Sequence, residues 1–316
     1  MFSRLANKIA RTFRTLLGTE QVLNLLEQQQ QQLIKEFKAQ QHRLDRATSY
    51  LEFTAIDQAR LRESNKFQNL HEIISLLAPK DIVGAKYRRV GRDYDGGYVM
   101  LDDFSSHKVD AAYSFGINDD VSWDEEIAEH GIDIYMYDHT IDKLPKYHSR
   151  FHFFKEGVTG DPDEAGLETL SNLLRRNGHQ ASQNLLLKMD IEGYEWAVFE
   201  ETPSAVIGQF SQIVIELHGL NPNRSKEDLS QILAVLKKIN LTHQSVHVHA
   251  NGYSPIHWLG ELALPTLLEV TYIRRADYAD KFAPNSRTFP TELDQTTLPW
   301  LPDVPLGTFS SETQSS

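Results

Sequence analysis

The feature that most constrains this chain is an alternation: between residues 111 and 274 seven short apolar runs recur, with helical periods filling most of the gaps. The runs fall near Ala111 to Ser114, Asp133 to Tyr137, Phe151 to Lys155, Asn184 to Met189, Ser211 to Leu217, Leu241 to His249 and Leu267 to Arg274. Apolar runs of strand length bounded by turn residues read as buried strands. Helical stretches are expected around Trp123 to Glu129, Leu167 to Arg176, Tyr194 to Glu200 and Lys226 to Ile239. Strands alternating with helices predict an α/β fold, a parallel sheet covered by helices on both faces. Ligands of such sheets bind beyond the carboxyl ends of the strands, and functional side chains should gather there.

The flanking sequence reads differently. In residues 1–18 the apolar Phe2, Leu5, Ile9, Phe13 and Leu16 recur at helical spacing beside Arg4, Lys8, Arg11 and Arg14, which predicts an amphipathic basic helix for an anionic membrane surface or a partner protein. Its recurring charges exclude the unbroken apolar centre of a secretory signal. From Thr19 to Ala78 there is neither glycine nor proline, and Leu26, Leu33, Phe37, Leu44 and Leu51 approximate a heptad seam. A long helix, a weak coiled coil and a homo-oligomer through residues 19–78 are the corresponding expectations. Residues 79–275 would form the globular domain, and the proline-rich residues 276–316 an irregular tail held down by Phe289 and Trp300.

The formal net charge is -12, and because residues 1–18 carry four positive charges and no acid, the remainder carries -16. A body this acidic repels a phosphate backbone, so nucleic acid is excluded as the expected partner. The absence of cysteine excludes disulfides and thiolate metal sites and suits a cytoplasmic setting, with peripheral contact at the inner membrane face through residues 1–18. No apolar stretch reaches the eighteen or so residues that span a bilayer.

Chemistry concentrates at the expected strand ends. The first run closes in "SFGINDD", a glycine turn that lacks the further glycines of the dinucleotide fingerprint and carries acids instead. The second ends at Asp138 in "YMYDH", where a carboxylate can accept the hydroxyls of a ribose. A ribose without a phosphate, joined to a cation that acids would welcome, describes S-adenosylmethionine. The fourth run drives into "KMDIEGYEW", whose carboxylates Asp190, Glu192 and Glu195 need compensation at the edge of a core. Residues two apart on a strand share a face, which pairs Glu216 with His218 and His247 with His249. With Asp190 and Glu192 these form either a metal-free network in which a histidine is the base, or a divalent-cation site drawn from Asp190, Glu216, His218 and His247.

The ordered set "DGGYVM", "SFGINDD", "YMYDHT", "FFKEGVTG", "LLKMDIEGYEW", "IVIELHG" and "HVHANG" resembles the FkbM-type S-adenosylmethionine-dependent methyltransferases over roughly Tyr87 to Arg275. The resemblance implies a class I methyltransferase fold, Rossmann-like, with a seven-stranded sheet whose last strand is antiparallel, here preceded by a long helical extension. It also implies O-methylation of a hydroxyl on a sugar, glycolipid or polysaccharide precursor. Carried over by position, Gly116 with Phe115, Asn118 and Asp119 would line the methionine moiety. Asp138 with His139 would meet the ribose, Glu156 with Gly157 the adenine edge, and Asp190 the transferred methyl. Catalytic roles fall to Asp190, Glu192, His218 and His249, and Glu195 reads as a structural acid at a helix N-terminus. The first motif departs from the family, with "FGIND" in place of D-x-G-A-x-x-G. Two other classes compete. A nicotinamide-dependent sugar oxidoreductase or epimerase is disfavoured by the missing glycines, and a nucleoside-binding scaffold without catalysis by the retention of Asp138, Asp190, Glu192 and Glu216.

Overall fold

A computed structural model describes residues 29–47, 62–104, 108–222, 224–259 and 262–310. The seven expected strands are β1 (Ala111–Phe115), β2 (Ile134–Tyr137), β3 (Phe151–Phe154), β4 (Leu185–Met189), β5 (Phe210–Leu217), β6 (His243–Ala250) and β7 (Leu268–Arg274). They form one sheet in the order β6-β7-β5-β4-β1-β2-β3. Only β7 runs against its neighbours, antiparallel to both β5 and β6, and the other pairs are parallel.

Both faces of the sheet are covered, which is why its strands read as continuous apolar runs. Leu185, Leu187 and Met189 of β4 join a core with α1 (Asn65–Leu77), α3 (Leu170–Arg176), α4 (Glu195–Glu201) and α5 (Lys226–Asn240). Leu186 points the other way, into a second core with Trp123 and Ile127 of α2 (Ser122–Glu129). All four of these β4 side chains are fully buried, each contributing about 1.5–3 kcal/mol of transfer free energy.

The second face holds an element that the strand-helix alternation did not reveal. A hairpin of Tyr87–Val90 with Tyr98–Leu101 lies across β5 and β7. Gln212 of β5 exchanges hydrogen bonds with the backbone of Leu101, both 3.1 Å, and the Thr271 hydroxyl of β7 donates to the Val99 carbonyl at 2.5 Å. Tyr98 and Met100 pack with Ala112 and Val214 of the sheet in the second core, and the glycine pair Gly96 and Gly97 precedes them in the turn.

The expected long helix from residue 19 to 78 is interrupted. Ser64 caps a new helix by accepting from the Phe67 amide at 3.2 Å, because a serine hydroxyl satisfies an amide that the preceding turn leaves free. That helix, α1, belongs to the domain rather than to an extension: Phe67, Leu70, Ile73, Ile74 and Leu77 are buried in the main core, and Asn240 of α5 donates to the Leu76 carbonyl. The chain divides into compact units of residues 1–48 and 49–316. In the first, residues 29–47 are helical. The basic helix expected in residues 1–18 lies outside the described residues, as do 19–28 and 48–61. Among the described residues no helix is long and apolar enough to cross a membrane.

The C-terminal segment is more ordered than a tail. Phe282–Pro284 pairs antiparallel with Lys80–Ile82, and Phe289, Leu301, Val304 and Leu306 are buried. Trp300, expected as an anchor, is instead 45% exposed, and the neighbouring Leu301 takes that place.

Candidate functional site

The end of β1 sets the geometry. Gly116 has φ +78° and lies so close to the end of β4 that an added Cβ would sit 1.7 Å from the Asp190 carbonyl oxygen, so no other residue fits. Asn118 also adopts the left-handed region, at φ +50°. Asp138, at the end of β2, holds this turn: one oxygen accepts from the amides of Ile117 and Asn118, both 2.8 Å, and the other from the Thr140 amide and hydroxyl at 2.8 and 2.6 Å. Burial would raise the Asp138 pKa, but these donors outweigh it and hold the group below its ordinary value. The carboxylate expected to meet a ribose is therefore also the clamp that shapes the glycine turn. Phe115 is fully buried, stacked on Tyr137 at 5.2 Å, so it offers the turn its backbone alone. Asp119 and His139 are exposed nearby.

On the expected adenine side, Glu156 is engaged by both terminal nitrogens of Arg176, at 3.1 and 2.5 Å, while that guanidinium lies over the rings of Phe154 and Tyr137. Both oxygens of the carboxylate are thus paired with Arg176. Gly157 is tightly enclosed, with His139 and Leu167 within 3 Å of where its Cβ would be.

The mouth beyond β4 and β5 brings together Asp190, Glu192 and His218. Each offers an atom within 4.8 Å of the others, the group of this kind found among the described residues. The His218 Nε2 lies 3.8 Å from Asp190 and 3.5 Å from Glu192. Its Nδ1 donates to Glu195 Oε1 at 2.9 Å, and that same oxygen accepts from the Ile191 amide at 3.0 Å. Glu195 is completely buried at the start of α4, with its second oxygen unpartnered. The Trp196 indole donates to the His218 carbonyl at 2.7 Å, fixing the backbone from which the imidazole projects. Glu192 has φ +57°, a conformation costing a non-glycine residue on the order of 1–3 kcal/mol, and its side chain is 90% exposed.

Two opposing effects act on this group. Burial raises the Asp190 pKa to about 6, although Lys188 and His218 pull it down. Burial would lower His218, but Glu195, Asp190 and Glu192 together raise it above the ordinary 6.5. Lys188 is the internal cation of the site. It is only 6% exposed and donates to the Gly116 carbonyl at 2.8 Å. Strand alternation places it on the same face as Asp190, two residues on.

Glu216 and His247 do not join that triad, which corrects the metal set drawn from sequence. Glu216 accepts from Asn251 at 2.9 Å, and burial pushes its pKa well above the carboxylate range. His247 donates from Nε2 to Asp294 at 2.8 Å. His249 is likewise withdrawn from the triad, its two nitrogens each 3.1 Å from Glu269 and Asp303. A cavity of about 680 Å³ lies at the opposite ends of the strands, among Gln244, Arg275, Phe282 and Phe309, and none of the candidate residues lines it.

Lys188 is a site residue absent from the sequence-based expectations, and the Glu195 bond to His218 is likewise new. Lys188 was readable from alternation alone. Glu195 was read as a structural acid, and nothing in a 23-residue separation announces its bond to His218. A family profile described as the methyltransferase FkbM domain matches residues 95–254, from the hairpin turn to just past β6. No curated protein matches the chain significantly.

Proposed function

The chain belongs to the FkbM methyltransferase family, and on that premise we propose that it is an S-adenosylmethionine-dependent O-methyltransferase acting on a hydroxyl of a sugar, glycolipid or polysaccharide precursor. The cofactor, when bound, supplies a methyl group on a sulfonium that leaves as a neutral thioether. The residues present fit such a ligand. The Gly116 turn has no cradle for a pyrophosphate, and the carboxylates around Asp190 suit a cation.

The observation that carries the mechanism is the His218 imidazole, held at Nδ1 by a buried carboxylate with Nε2 left facing the mouth. Glu195 fixes the tautomer, so Nε2 bears the lone pair. With the cofactor bound, an acceptor hydroxyl lying between His218 and Asp190 would give its proton to Nε2. Glu195, Asp190 and Glu192 stabilise the imidazolium that results. General bases of this kind contribute roughly 10²–10⁴-fold.

A second reading uses the same atoms. Asp190, Glu192 and His218 have carboxylate and imidazole donors in reach of one divalent cation. Chelator treatment with restoration by Mn²⁺ or Mg²⁺ supports it, and indifference to chelator removes it. Calorimetry on the full chain tests the main reading: S-adenosylmethionine should bind and NAD should not, and the reverse would overturn it. Mass spectrometry of cell glycans and lipids with and without the protein, seeking a change of one methyl group, identifies the acceptor.

Self-association is part of this reading, narrowed to the helix of residues 29–47, where Leu33, Phe37 and Leu44 are 64, 66 and 64% exposed. Sedimentation of the full chain should show an oligomer that Phe37→Glu dissociates.

A further inference from the structure

The cavity of about 680 Å³ at the opposite ends of the strands is walled by parts of the chain that the chemistry above leaves unused. Of its lining, only Asn240 and Gln244 fall within residues 95–254, the stretch matched by the family profile. The rest comes from the end of α1, the turn after β7 and the C-terminal segment, so the cavity is a feature this chain adds to the common domain. Its charge runs against that of the whole. The chain holds 44 acids to 32 lysines and arginines, yet the lining includes Lys80 and Arg275 and no carboxylate. The acids next to these cations in sequence are committed elsewhere: Asp81 accepts from the Ser286 hydroxyl at 2.5 Å and from Arg287 at 2.8 Å, and Asp277 pairs with Arg274 at 2.9 Å.

Both cations are available. Lys80 is exposed, and its ammonium makes no hydrogen bond or ion pair among the described residues. Arg275 is pinned at Nε, which donates to the carbonyls of Asn240 and His243 at 3.0 and 2.7 Å, and its Nη2 reaches Asn240 Oδ1 at 3.3 Å. Its Nη1 has no partner among the described residues. A guanidinium fixed on one edge and open on the other is a preorganised fork for an oxyanion. The remaining wall suits a sugar. Gln244 is 4% exposed, and its Nε2 donates to the carbonyls of Ala78 and Ser245, both 3.1 Å, which leaves Oε1 as an acceptor. Phe282 and Phe309 supply apolar faces, and Phe309 adopts φ +45°, a region where bulky side chains are rarely held. The volume is that of a small-ligand site, of which a lone phosphate would fill only a fraction.

We propose that this cavity is a second binding site, for a sugar carrying a phosphate or carboxylate group, with Arg275 and Lys80 receiving the anion and Gln244 a sugar hydroxyl. The eight residues of β5 span roughly 25 Å, so a monosaccharide held here is out of reach of His218. The site binds without reacting, and the inference does not depend on the methyl-transfer reading.

Calorimetry on the full chain tests it with glucose 6-phosphate, glucuronate, glucose and inorganic phosphate. At least one of the two anionic sugars should bind about tenfold or more tightly than glucose, which lacks the charged contacts, and than inorganic phosphate, which lacks the sugar contacts. Lys80→Glu, a change at an exposed position, should weaken that binding about tenfold, and Lys80→Arg should keep it. Arg275→Lys retains the charge but not the fork and should weaken it as well. His218→Ala, at the far ends of the strands, should leave it within about twofold. Three results overturn the inference: neither anionic sugar binds at millimolar concentration, inorganic phosphate binds as tightly as the sugar, or binding is lost in His218→Ala and kept in Lys80→Glu. The last would place the sugar at the mouth.

Discussion

Two histidine clusters stand at strand ends of the same sheet, and they are built from the same residue types to opposite effect. At the mouth, His218 gives Nδ1 to Glu195 and leaves Nε2 3.5 Å or more from its nearest carboxylates. At the sheet edge, His249 is held at both nitrogens, by Glu269 and Asp303, and His247 is bound to Asp294. The side chain of His218 is 13% exposed and that of His249 is 3% exposed. An imidazole does chemistry only when one nitrogen is both available and reachable; both nitrogens of His249 are occupied, and the unpartnered Nδ1 of His247 is buried. The edge pair instead bolts the C-terminal segment, which carries Asp294 and Asp303, onto β6.

The comparison breaks most sharply at His249. His249→Ala removes one partner of a buried ion cluster and leaves Glu269 and Asp303 uncompensated, so stability should fall by about 3–5 kcal/mol, measured by denaturant unfolding. Activity per folded molecule should stay near normal, because the bolt lies outside the reacting group. A hundredfold loss of activity with intact stability would return His249 to the catalytic set. The same bolt has a pH signature. Burial would lower the His249 pKa, but Glu269, Asp303 and Asp294 hold it well above 6.5. A pKa raised on folding adds stability that is complete below the unfolded value of 6.5 and is lost as pH rises through the folded value. Thermal unfolding of the unsubstituted chain should therefore weaken on the alkaline side of neutrality, and His249→Ala should flatten that slope.

The mouth predicts the inverse pattern. His218→Ala should cost at least about a hundredfold in turnover and little stability. Asp190→Asn, nearly isosteric, should behave likewise. If either variant kept normal turnover on the true acceptor while unfolding more easily, mouth and edge would be alike and the base would lie elsewhere.

How much of this the sequence displayed depends on range. The seven strands were legible to within a residue or two because burial on both faces leaves an uninterrupted apolar signal, as in Leu185 to Met189. Asp190 was legible as a strand-end acid for the same reason. The partner of each histidine was not. Glu195 meets His218 only because α4 starts beside the end of β5. Asp303 meets His249 across 54 residues of chain that carry no periodic pattern. His218 follows an acid-bearing strand end while His247 and His249 lie within a strand without acids nearby in sequence, yet only tertiary packing decides which of their nitrogens are occupied. The hairpin over β5 and β7 escaped notice because Tyr87–Val90 carries Arg88 and Arg89 at its centre and so shows no apolar run, and Tyr98–Leu101 alone announces no partner.

The smallest and most specific expected effect concerns Glu195→Gln. The amide oxygen can still accept from His218 Nδ1, so the imidazole keeps its tautomer and the fold keeps its buried contact, but the negative charge that steadies the imidazolium is gone. Glu195 raises the His218 pKa through both its hydrogen bond and its charge, and removing the charge lowers that pKa. The base must be neutral to accept a proton, so activity rises as pH climbs through the His218 value. In Glu195→Gln this rising limb should move to lower pH. The plateau should also fall, by about tenfold, because a weaker base drives proton transfer less well. KM for the acceptor should barely change, since Glu195 is buried and touches no ligand. A structural acid would give the opposite result, an unmoved limb with reduced stability, so the pH-rate profile alone separates an orienting carboxylate from a packing one.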